Sequence, residues 1–292
     1  MTAMPIQSLR VGVIGLGLMG SVLVRRLRDA GFAVMAYDID ATKAAVAASY
    51  GAVPATPEAM ATACDQIVLA LFDTAQVEAM VEGPLSSAHR DLVVICTSTC
   101  DPDRIAELAA RVASRGIRFL EAPVSGTSEQ VRSGKGVALL GGDAALVAQA
   151  APVLDALFAT QHHLGGCGDG GRAKLAVNLV LGLNRLALAE GLVLAERMGL
   201  APERFLGVLK QSAAYSQVME TKGPKMASGD FSPQGKASQS LKDFSLILDV
   251  AIRLGQSLPA AALNHEMLTA CVGCGEADLD NAVIINELRR RV

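Results

Sequence analysis

The sequence predicts an α/β fold with an amino-terminal doubly wound parallel sheet, a long connecting helix and an all-helical carboxyl-terminal half. Short apolar runs alternate with helical stretches over residues 1–164, a pattern typical of parallel strands joined by crossover helices. A glycine cluster at residues 165–171 ends this alternation. Residues 165–292 then show helical periodicity and no convincing strand. We therefore expect two domains, with a boundary between residues 164 and 165.

Six apolar runs are predicted to be strands of the amino-terminal domain. They are Leu9–Ile14, Ala33–Tyr37, Gln66–Phe72, Leu92–Cys96, Arg118–Ala122 and Gly136–Leu140. Helices are predicted over residues 21–30 and 42–50, and each is ended by a glycine. Because strands separated by helices pair in parallel, all six runs are expected in one sheet.

The connecting helix is predicted over about residues 172–198, a stretch without proline that only Gly182 and Gly191 interrupt. At 1.5 Å per residue it extends about 37 Å from Lys174 to Met198. The helical segment beyond it has limited core of its own, so we expect it to pack against a partner subunit in a homodimer or homotetramer.

Composition argues against several classes of protein. The formal net charge is −3 and no basic tract occurs, which argues against nucleic-acid binding. The longest apolar run, residues 11–24, is broken by glycines and falls short of the roughly 20 residues of a membrane span. It also resembles a strand and turn more than a signal peptide, so a cytoplasmic protein is expected. The scattered cysteines favour reduced thiols over disulfides or a zinc site.

A glycine loop, Gly15-Leu16-Gly17-Leu18-Met19-Gly20, follows the first predicted strand and opens the first predicted helix. This position is typical of the dinucleotide-binding turn of a Rossmann domain. The first glycine allows a tight turn, the second lets the backbone approach the pyrophosphate, and the third allows close packing of helix on strand. All six residues of the loop are therefore candidate cofactor-binding residues, with the pyrophosphate at the helix amino terminus.

Asp38 ends the second predicted strand, 18 residues beyond Gly20, where an acidic residue accepts hydrogen bonds from the ribose hydroxyls of NAD. A carboxylate there would repel the 2′-phosphate of NADP. Lys43 is the only nearby cation. NAD is therefore the predicted cofactor, and NADP is the weaker alternative.

Four segments together resemble the β-hydroxyacid dehydrogenases, the family that includes 3-hydroxyisobutyrate dehydrogenase and tartronate semialdehyde reductase. They are the glycine loop, Glu121–Thr127 (sequence EAPVSGT), Gly168–Asn178 (GDGGRAKLAVN) and Leu241–Leu246 (LKDFSL). They occur in the family's order and cover the chain from Val11 to about Leu288. The resemblance implies a hydride transfer between NAD and a small β-hydroxy acid, or its semialdehyde or keto form.

The resemblance also implies two catalytic residues, Lys174 and Asn178. Their i, i+4 spacing would place them on one face of the connecting helix. Oxidation of a hydroxy acid releases a hydride and a proton, and a lysine can accept that proton when burial favours its neutral amine. Asn178 would hydrogen-bond the substrate and fix its orientation.

Further roles follow from the resemblance alone. Ser125, Gly126 and Thr127 would hold the substrate carboxylate. Lys242 would lie near both the nicotinamide and the substrate, and Asp243 would orient either Lys242 or the substrate. Thr99 would lie near the nicotinamide ribose.

The sequence also departs from the family pattern, and two other functions stay open. Gly235 stands where relatives often have a phenylalanine that closes the substrate pocket, and Leu179 replaces the second residue of their usual Asn-Asn pair, so the substrate is not defined. Thr127 also replaces a glycine of the family pattern. An imine reductase on the same fold is one alternative, although Lys174 and Asp38 both point away from it. A catalytically silent NAD(P)-binding scaffold is the other.

Overall fold

The computed structural model describes residues 9–88 and 91–291, which divide into two compact units. The first unit ends at Lys174 and the second begins at Leu175. The predicted boundary, between residues 164 and 165, was drawn earlier in the chain, at the glycine cluster.

The first unit contains nine strands and seven complete helices within the described residues. The strands are β1 (Arg10–Ile14), β2 (Ala33–Tyr37), β3 (Val53–Pro54), β4 (Gln66–Leu69), β5 (Leu92–Cys96), β6 (Ile117–Glu121), β7 (Val124–Ser125), β8 (Val137–Leu140) and β9 (Thr160–His163). The helices are α1 (Leu18–Asp29), α2 (Ala41–Ser49), α3 (Pro57–Ala63), α4 (Thr74–Glu82), α5 (Pro102–Ala113), α6 (Ser128–Arg132) and α7 (Ala144–Leu157).

Six strands form one parallel sheet in the order β3-β2-β1-β4-β5-β6, which confirms the doubly wound prediction. The order reverses at β1, which pairs with both β2 and β4. Strand β3 is not among the predicted strands, because it has only two residues and one of them is proline. The strand ends near β1 form the crevice where such sheets bind their ligands.

The predicted strand at residues 136–140 is a strand, but its assignment to the main sheet is wrong. It forms β8 of a separate three-stranded sheet, antiparallel to β7 and parallel to β9. The connection from β7 to β8 contains only the five-residue helix α6, too little for the crossover that a parallel neighbour needs. Strand β9 is not among the predicted strands, because its Thr-Gln-His-His sequence is polar and mostly exposed.

The main sheet is buried on both faces. Successive residues of β5 alternate between two apolar clusters: Val93 and Ile95 join one, and Val94 and Cys96 join the other. Helices α1 and α7 contribute to the first cluster, and α3 and α5 contribute to the second. Burial on both faces explains why these strands are continuous apolar runs.

The second unit is helical, and among its described residues no strand occurs. The helix α8 (Asp169–Arg197) begins in the first unit and continues into the second. The other helices are α9 (Pro202–Lys210), α10 (Val218–Thr221), α11 (Gly223–Ser228), α12 (Ala237–Arg253), α13 (Pro259–Gly273) and α14 (Ile284–Arg290). A short 3-10 turn, Asn281–Val283, precedes α14.

Helix α8 is 29 residues long and starts a few residues before the predicted position. Its length and composition would also suit a membrane span, although the apolar run predicted to be the longest was residues 11–24. Several of its apolar side chains, including Ala189 and Leu192, are fully buried within the second unit. They pack with Phe244, Leu268 and Ile285 in that unit's core.

Candidate active site

Two glycines of the loop after β1 have no room for a side chain. Gly15 has a φ of +91°, and a Cβ on it would lie 2.4 Å from the carbonyl oxygen of Ala70. A Cβ on Gly20 would lie 1.8 Å from the carbonyl oxygen of Gly15. The tight turn and the close helix packing inferred from the sequence are both present.

Gly17, by contrast, faces open space, because no heavy atom lies within 4 Å of the position that its Cβ would take. Helix α1 starts directly after it, with no side-chain cap and no acidic residue in its first turn. The first backbone N–H groups of such a helix have no intrahelical partner and carry a partial positive charge. An open glycine beside an uncapped helix terminus fits a dinucleotide pyrophosphate.

Asp38 follows β2 and fastens the glycine loop to it. Its Oδ2 accepts a hydrogen bond of 2.7 Å from the backbone N–H of Leu16, and its Oδ1 accepts one of 2.9 Å from the N–H of Asp40. The Nζ of Lys43 lies 3.6 Å from Oδ1. Each carboxylate oxygen keeps a lone pair that a ribose hydroxyl can use.

Thr99 lies in the loop after β5 and is buried, with 7% of its surface exposed. Side chains of this loop bind the end of β4. Thr97 Oγ1 donates to the carbonyl of Leu69 at 2.7 Å, and Ser98 Oγ accepts from the N–H of Leu71 at 2.9 Å. The loop is therefore held at the carboxyl end of the sheet.

Lys174 is 7% exposed, and its ammonium donates a hydrogen bond of 2.7 Å to the carbonyl oxygen of Val124. Val124 directly precedes the three residues predicted to hold the substrate carboxylate. Ser125 ends β7 and is partly exposed, and Gly126 has a φ of +133° that favours glycine. Within the first unit, the structure thus brings the Lys174 ammonium to the segment that contains Ser125.

Thr127 has a local structural role in addition to its predicted role in substrate binding. Its Oγ1 accepts from the N–H of Gln130 at 3.2 Å, while its own N–H donates to Gln130 Oε1 at 2.8 Å. These reciprocal bonds form a capping box at the start of α6. The backbone N–H of Thr127 therefore already donates a hydrogen bond within the protein. The Thr127 hydroxyl can still donate its proton to a substrate.

Glu121, at the end of β6, is a buried carboxylate beneath the start of α8. Its Oε2 accepts a hydrogen bond of 2.5 Å from the N–H of Gly168, and the N–H of Gly171 also donates to it. Burial raises the pKa of Glu121 to about 7, although both N–H groups favour its charged form. A Cβ on Gly171 would lie 2.8 Å from Oε1, so glycine is needed there. This residue opens the EAPVSGT segment, but the sequence did not reveal its role.

In the second unit, Asp243 joins two of the predicted site residues. Asn178 donates to its Oδ2 at 2.8 Å, and the Nζ of Lys242 lies 2.8 Å from its Oδ1. Asn178, Lys242 and Asp243 are all largely buried. The predicted orientation of Lys242 by Asp243 therefore has a geometric basis, and Asn178 shares the same carboxylate.

A second buried charge pair in this unit was missed. Asp280, with no exposed surface, accepts from Lys222 Nζ at 2.8 Å on both oxygens, and from the N–H groups of Gln234 and Gly235. Asp280 thereby holds the loop that contains Gly235. Nothing in the local sequence of either partner signals this pairing, because the two residues are 58 positions apart.

Two family models match the chain, one on each side of the glycine cluster. The model of the NAD-binding domain of 6-phosphogluconate dehydrogenase matches residues 10–165. The model described as the NAD-binding domain of NADP-dependent 3-hydroxyisobutyrate dehydrogenase matches residues 168–288.

Relatives with hydroxyacid names match nearly the full chain. A 2-(hydroxymethyl)glutarate dehydrogenase of Eubacterium barkeri is 31% identical over 96% of both chains. An L-threonate dehydrogenase of Cupriavidus necator is 30% identical over 95% of both. A human protein named cytokine-like nuclear factor N-PAC is also 30% identical over 94% of this chain, which spans 50% of that protein.

Solved structures give the same result. A 3-hydroxyisobutyrate dehydrogenase from Salmonella typhimurium superposes with a TM-score of 0.88 at 26% identity, over 96% of this chain and 99% of that one. An imine reductase from a Pseudomonas species has a TM-score of 0.65 at 20% identity over 96% of this chain and 99% of that one, a likeness of fold alone.

Proposed function

The chain belongs to the β-hydroxyacid dehydrogenase family, and we propose that it interconverts a β-hydroxy acid and its carbonyl form with NAD and with Lys174 as the acid–base group. Membership makes it an NAD(P)-binding oxidoreductase of the hydroxyacid type. The observation that carries the finer proposal is the buried Lys174 ammonium, 2.7 Å from the carbonyl of Val124 and so beside the Ser125 segment.

The reaction requires one hydride transfer and one proton transfer. The bound nicotinamide supplies or accepts the hydride. In reduction, the Lys174 ammonium donates a proton to the substrate oxygen, which becomes the hydroxyl. In oxidation, the neutral amine takes the hydroxyl proton while the carbon releases hydride. The backbone carbonyl of Val124 orients Nζ in both directions without exchanging a proton itself.

The substrate carboxylate is assigned to the Ser125 hydroxyl and to the backbone at Gly126. The Thr127 hydroxyl is available as a further donor. Asn178, one turn beyond Lys174 on α8, is assigned to orienting the substrate, with its amide position set by Asp243. Lys242 offers a positive charge of fixed position, since its ammonium is paired with the same Asp243.

We assign the glycine loop to the pyrophosphate, Asp38 to the adenosine ribose and Thr99 to the nicotinamide ribose. Asp38 supports NAD over NADP, since a 2′-phosphate would meet its negative charge, and one half-exposed ammonium, Lys43, is already paired with that carboxylate. A tenfold preference for NADP⁺ in kcat/KM would overturn this choice while leaving the family unaffected.

The second candidate is a scaffold that binds NAD(P) without turnover. This candidate is retained because one relative of the chain is named as a nuclear factor and not as a dehydrogenase. The buried and oriented Lys174 ammonium supports catalysis instead, because a lysine without a role is usually exposed.

One experiment separates the two. The purified protein is tested with NAD⁺ and NADP⁺ on 3-hydroxyisobutyrate, L-threonate and 2-(hydroxymethyl)glutarate. We expect Lys174→Ala to lower the rate by about 10²–10⁴-fold, the usual range for an acid–base group. NADH affinity should stay unchanged. Since the chain has no Trp, binding is followed by the emission of NADH itself. Lys135→Ala, an exposed lysine of the same unit, is the control.

Full activity in Lys174→Ala would contradict the acid–base assignment. Tight NADH binding with no turnover of a broad hydroxy-acid panel by the wild-type protein would favour the scaffold.

We also propose that the protein is a homodimer or homotetramer. Large apolar side chains of the second unit are exposed in the single chain, among them Val180, Leu194, Val208 and Ile252, each with more than half of its surface accessible. Light scattering at micromolar concentration tests this, and a monodisperse monomer would contradict it.

A further inference from the structure

Arg185 is a buried charge in the second unit. It lies in the apolar middle of α8 with 5% of its surface exposed, and no hydrogen bond to its guanidinium occurs among the described residues. Burial lowers the pKa of Arg185 to about 10, against the opposing effect of two carboxylates. A buried guanidinium is normally paired, because desolvating an unpaired charge is costly.

The two nearby carboxylates are already paired with other cations. Asp280 binds Lys222 through both oxygens, and Asp243 binds Lys242. Three cations therefore share two carboxylates in this part of the second unit, which leaves one positive charge in excess. The next cation, Lys225, does not change this balance, because Asp230 lies 3.8 Å from its Nζ.

A buried amide lies beside the same face of α8. Asn264, on α13, has no exposed surface, and neither its Oδ1 nor its Nδ2 has a partner among the described residues. Its Nδ2 lies 3.6 Å from the position that a Cβ on Gly182 would take, one helical turn before Arg185. The Phe244 ring lies against Gly182, so the wall beside these polar groups is apolar.

We propose that Arg185 and Asn264 form a subsite for the distal carboxylate of a dicarboxylic hydroxy-acid substrate. A guanidinium binds a carboxylate through two parallel hydrogen bonds, and an amide N–H₂ adds a third donor. The negative charge of the ligand neutralises the excess positive charge. The Phe244 ring suits the methylene groups between the two ends of such a ligand.

Arg185 and Asn178 lie on the same face of α8. Arg185 follows Asn178 by seven residues, which is two turns on the same face, and helical side chains lean toward the amino terminus. The carboxylates of Asp280 and Asp243 act on the charge of Arg185, and Asp243 also accepts a hydrogen bond from Asn178. The assignment of the anion as part of the substrate rests on the proposed function.

Binding without turnover tests the subsite directly. Glutarate and butyrate are titrated by calorimetry into the NADH-loaded protein, since they differ in the second carboxylate. We expect glutarate to bind at least tenfold more tightly. Arg185→Met should abolish the difference, and Arg185→Lys should keep part of it. Arg197→Met, an exposed arginine of the same helix, should keep it all.

Equal affinities for the two acids in the wild-type protein would overturn the proposal, as would an unchanged difference in Arg185→Met. If that variant fails to fold, Asn264→Leu and the wild-type comparison still decide. Tight binding of inorganic phosphate in place of glutarate, lost in the same variants, would identify a free-anion site and also overturn it.

Turnover separates this proposal from the one on which it rests. Equal oxidation of 3-hydroxyisobutyrate and 2-(hydroxymethyl)glutarate would support the dehydrogenase function and contradict the subsite. Binding of glutarate through Arg185 without oxidation of any hydroxy acid would support an anion site and contradict the proposed function.

Discussion

The two units hold their buried charges in different ways. In the first unit, three charges of the candidate site bind main-chain groups: Asp38 accepts from Leu16 N–H, Glu121 from Gly168 N–H, and Lys174 donates to the carbonyl of Val124. In the second unit, buried charged side chains also pair with one another, as in the Lys222–Asp280 and Lys242–Asp243 pairs, although Asp280 accepts from main-chain N–H groups as well.

This difference bears on how each unit tolerates substitution. A main-chain partner is present whatever residue supplies it, so a main-chain contact survives many changes in that residue. A side-chain pair needs both residues at once, and losing one leaves the other buried and unpaired. We therefore expect the cofactor end of the molecule to withstand substitution better than the helical unit.

The largest expected effect tests the side-chain pairs. Asp280→Ala should lower the free energy of unfolding by about 3–5 kcal/mol, because Lys222 is left as an unpaired buried charge and the loop at Gly235 loses its acceptor. Denaturant unfolding measures the change. Asp278→Ala is the matched control: that carboxylate is 83% exposed, and its loss should matter little. Similar effects of the two variants would contradict the comparison.

The next effect concerns a carboxylate held by main-chain groups. The pKa of Glu121 rises from 4.5 to about 7 on folding, so its contribution to stability is present below pH 4.5 and is lost as the pH rises to 7. At 1.36 kcal/mol per pKa unit, this loss is about 3 kcal/mol. Glu121→Gln cannot ionise, so that part of the pH dependence should disappear.

The measurement is the free energy of unfolding between pH 4.5 and 8. Glu129→Gln, at an exposed site in the same unit, should keep the wild-type slope. An identical slope in Glu121→Gln would show that this carboxylate does not titrate in the range.

The smallest effect on stability concerns the main chain itself. Gly17→Ala places a methyl group in open space, so stability should hold while NADH affinity falls by about tenfold, or 1.4 kcal/mol. Gly20→Ala should instead destabilise the unit, since its methyl group meets the Gly15 carbonyl oxygen. NADH titration and thermal unfolding of both variants measure this contrast. Unchanged NADH affinity in Gly17→Ala would remove the loop from the cofactor site.

The sequence indicates which residues are candidates for the site more readily than it indicates their contact partners. The glycine loop and Asp38 were accessible because the order of strand, turn, helix and strand is local. The second sheet was not, since the pairing of β8 depends on how short the connection through α6 is. The Asn178–Asp243 contact, 65 residues apart, has no local signal at all.

The burial of Arg185 could not be predicted from the local sequence either. A single arginine between Leu183 and Leu186 is visible in the sequence, and a helix could expose it or bury it. Only the packing of α12 and α13 against α8 decides this, and that packing depends on side chains distributed over the whole second unit.

The hydrogen bonds between Glu121 and the start of α8 also limit where the chain can be truncated. A fragment that ends at residue 164 contains a complete parallel sheet but lacks the donors at Gly168 and Gly171. Its Glu121 would then remain as an acid without those N–H partners. An amino-terminal fragment that is expressed alone or in a fusion protein should therefore extend through Lys174, so that it contains the first turn of α8 together with the sheet.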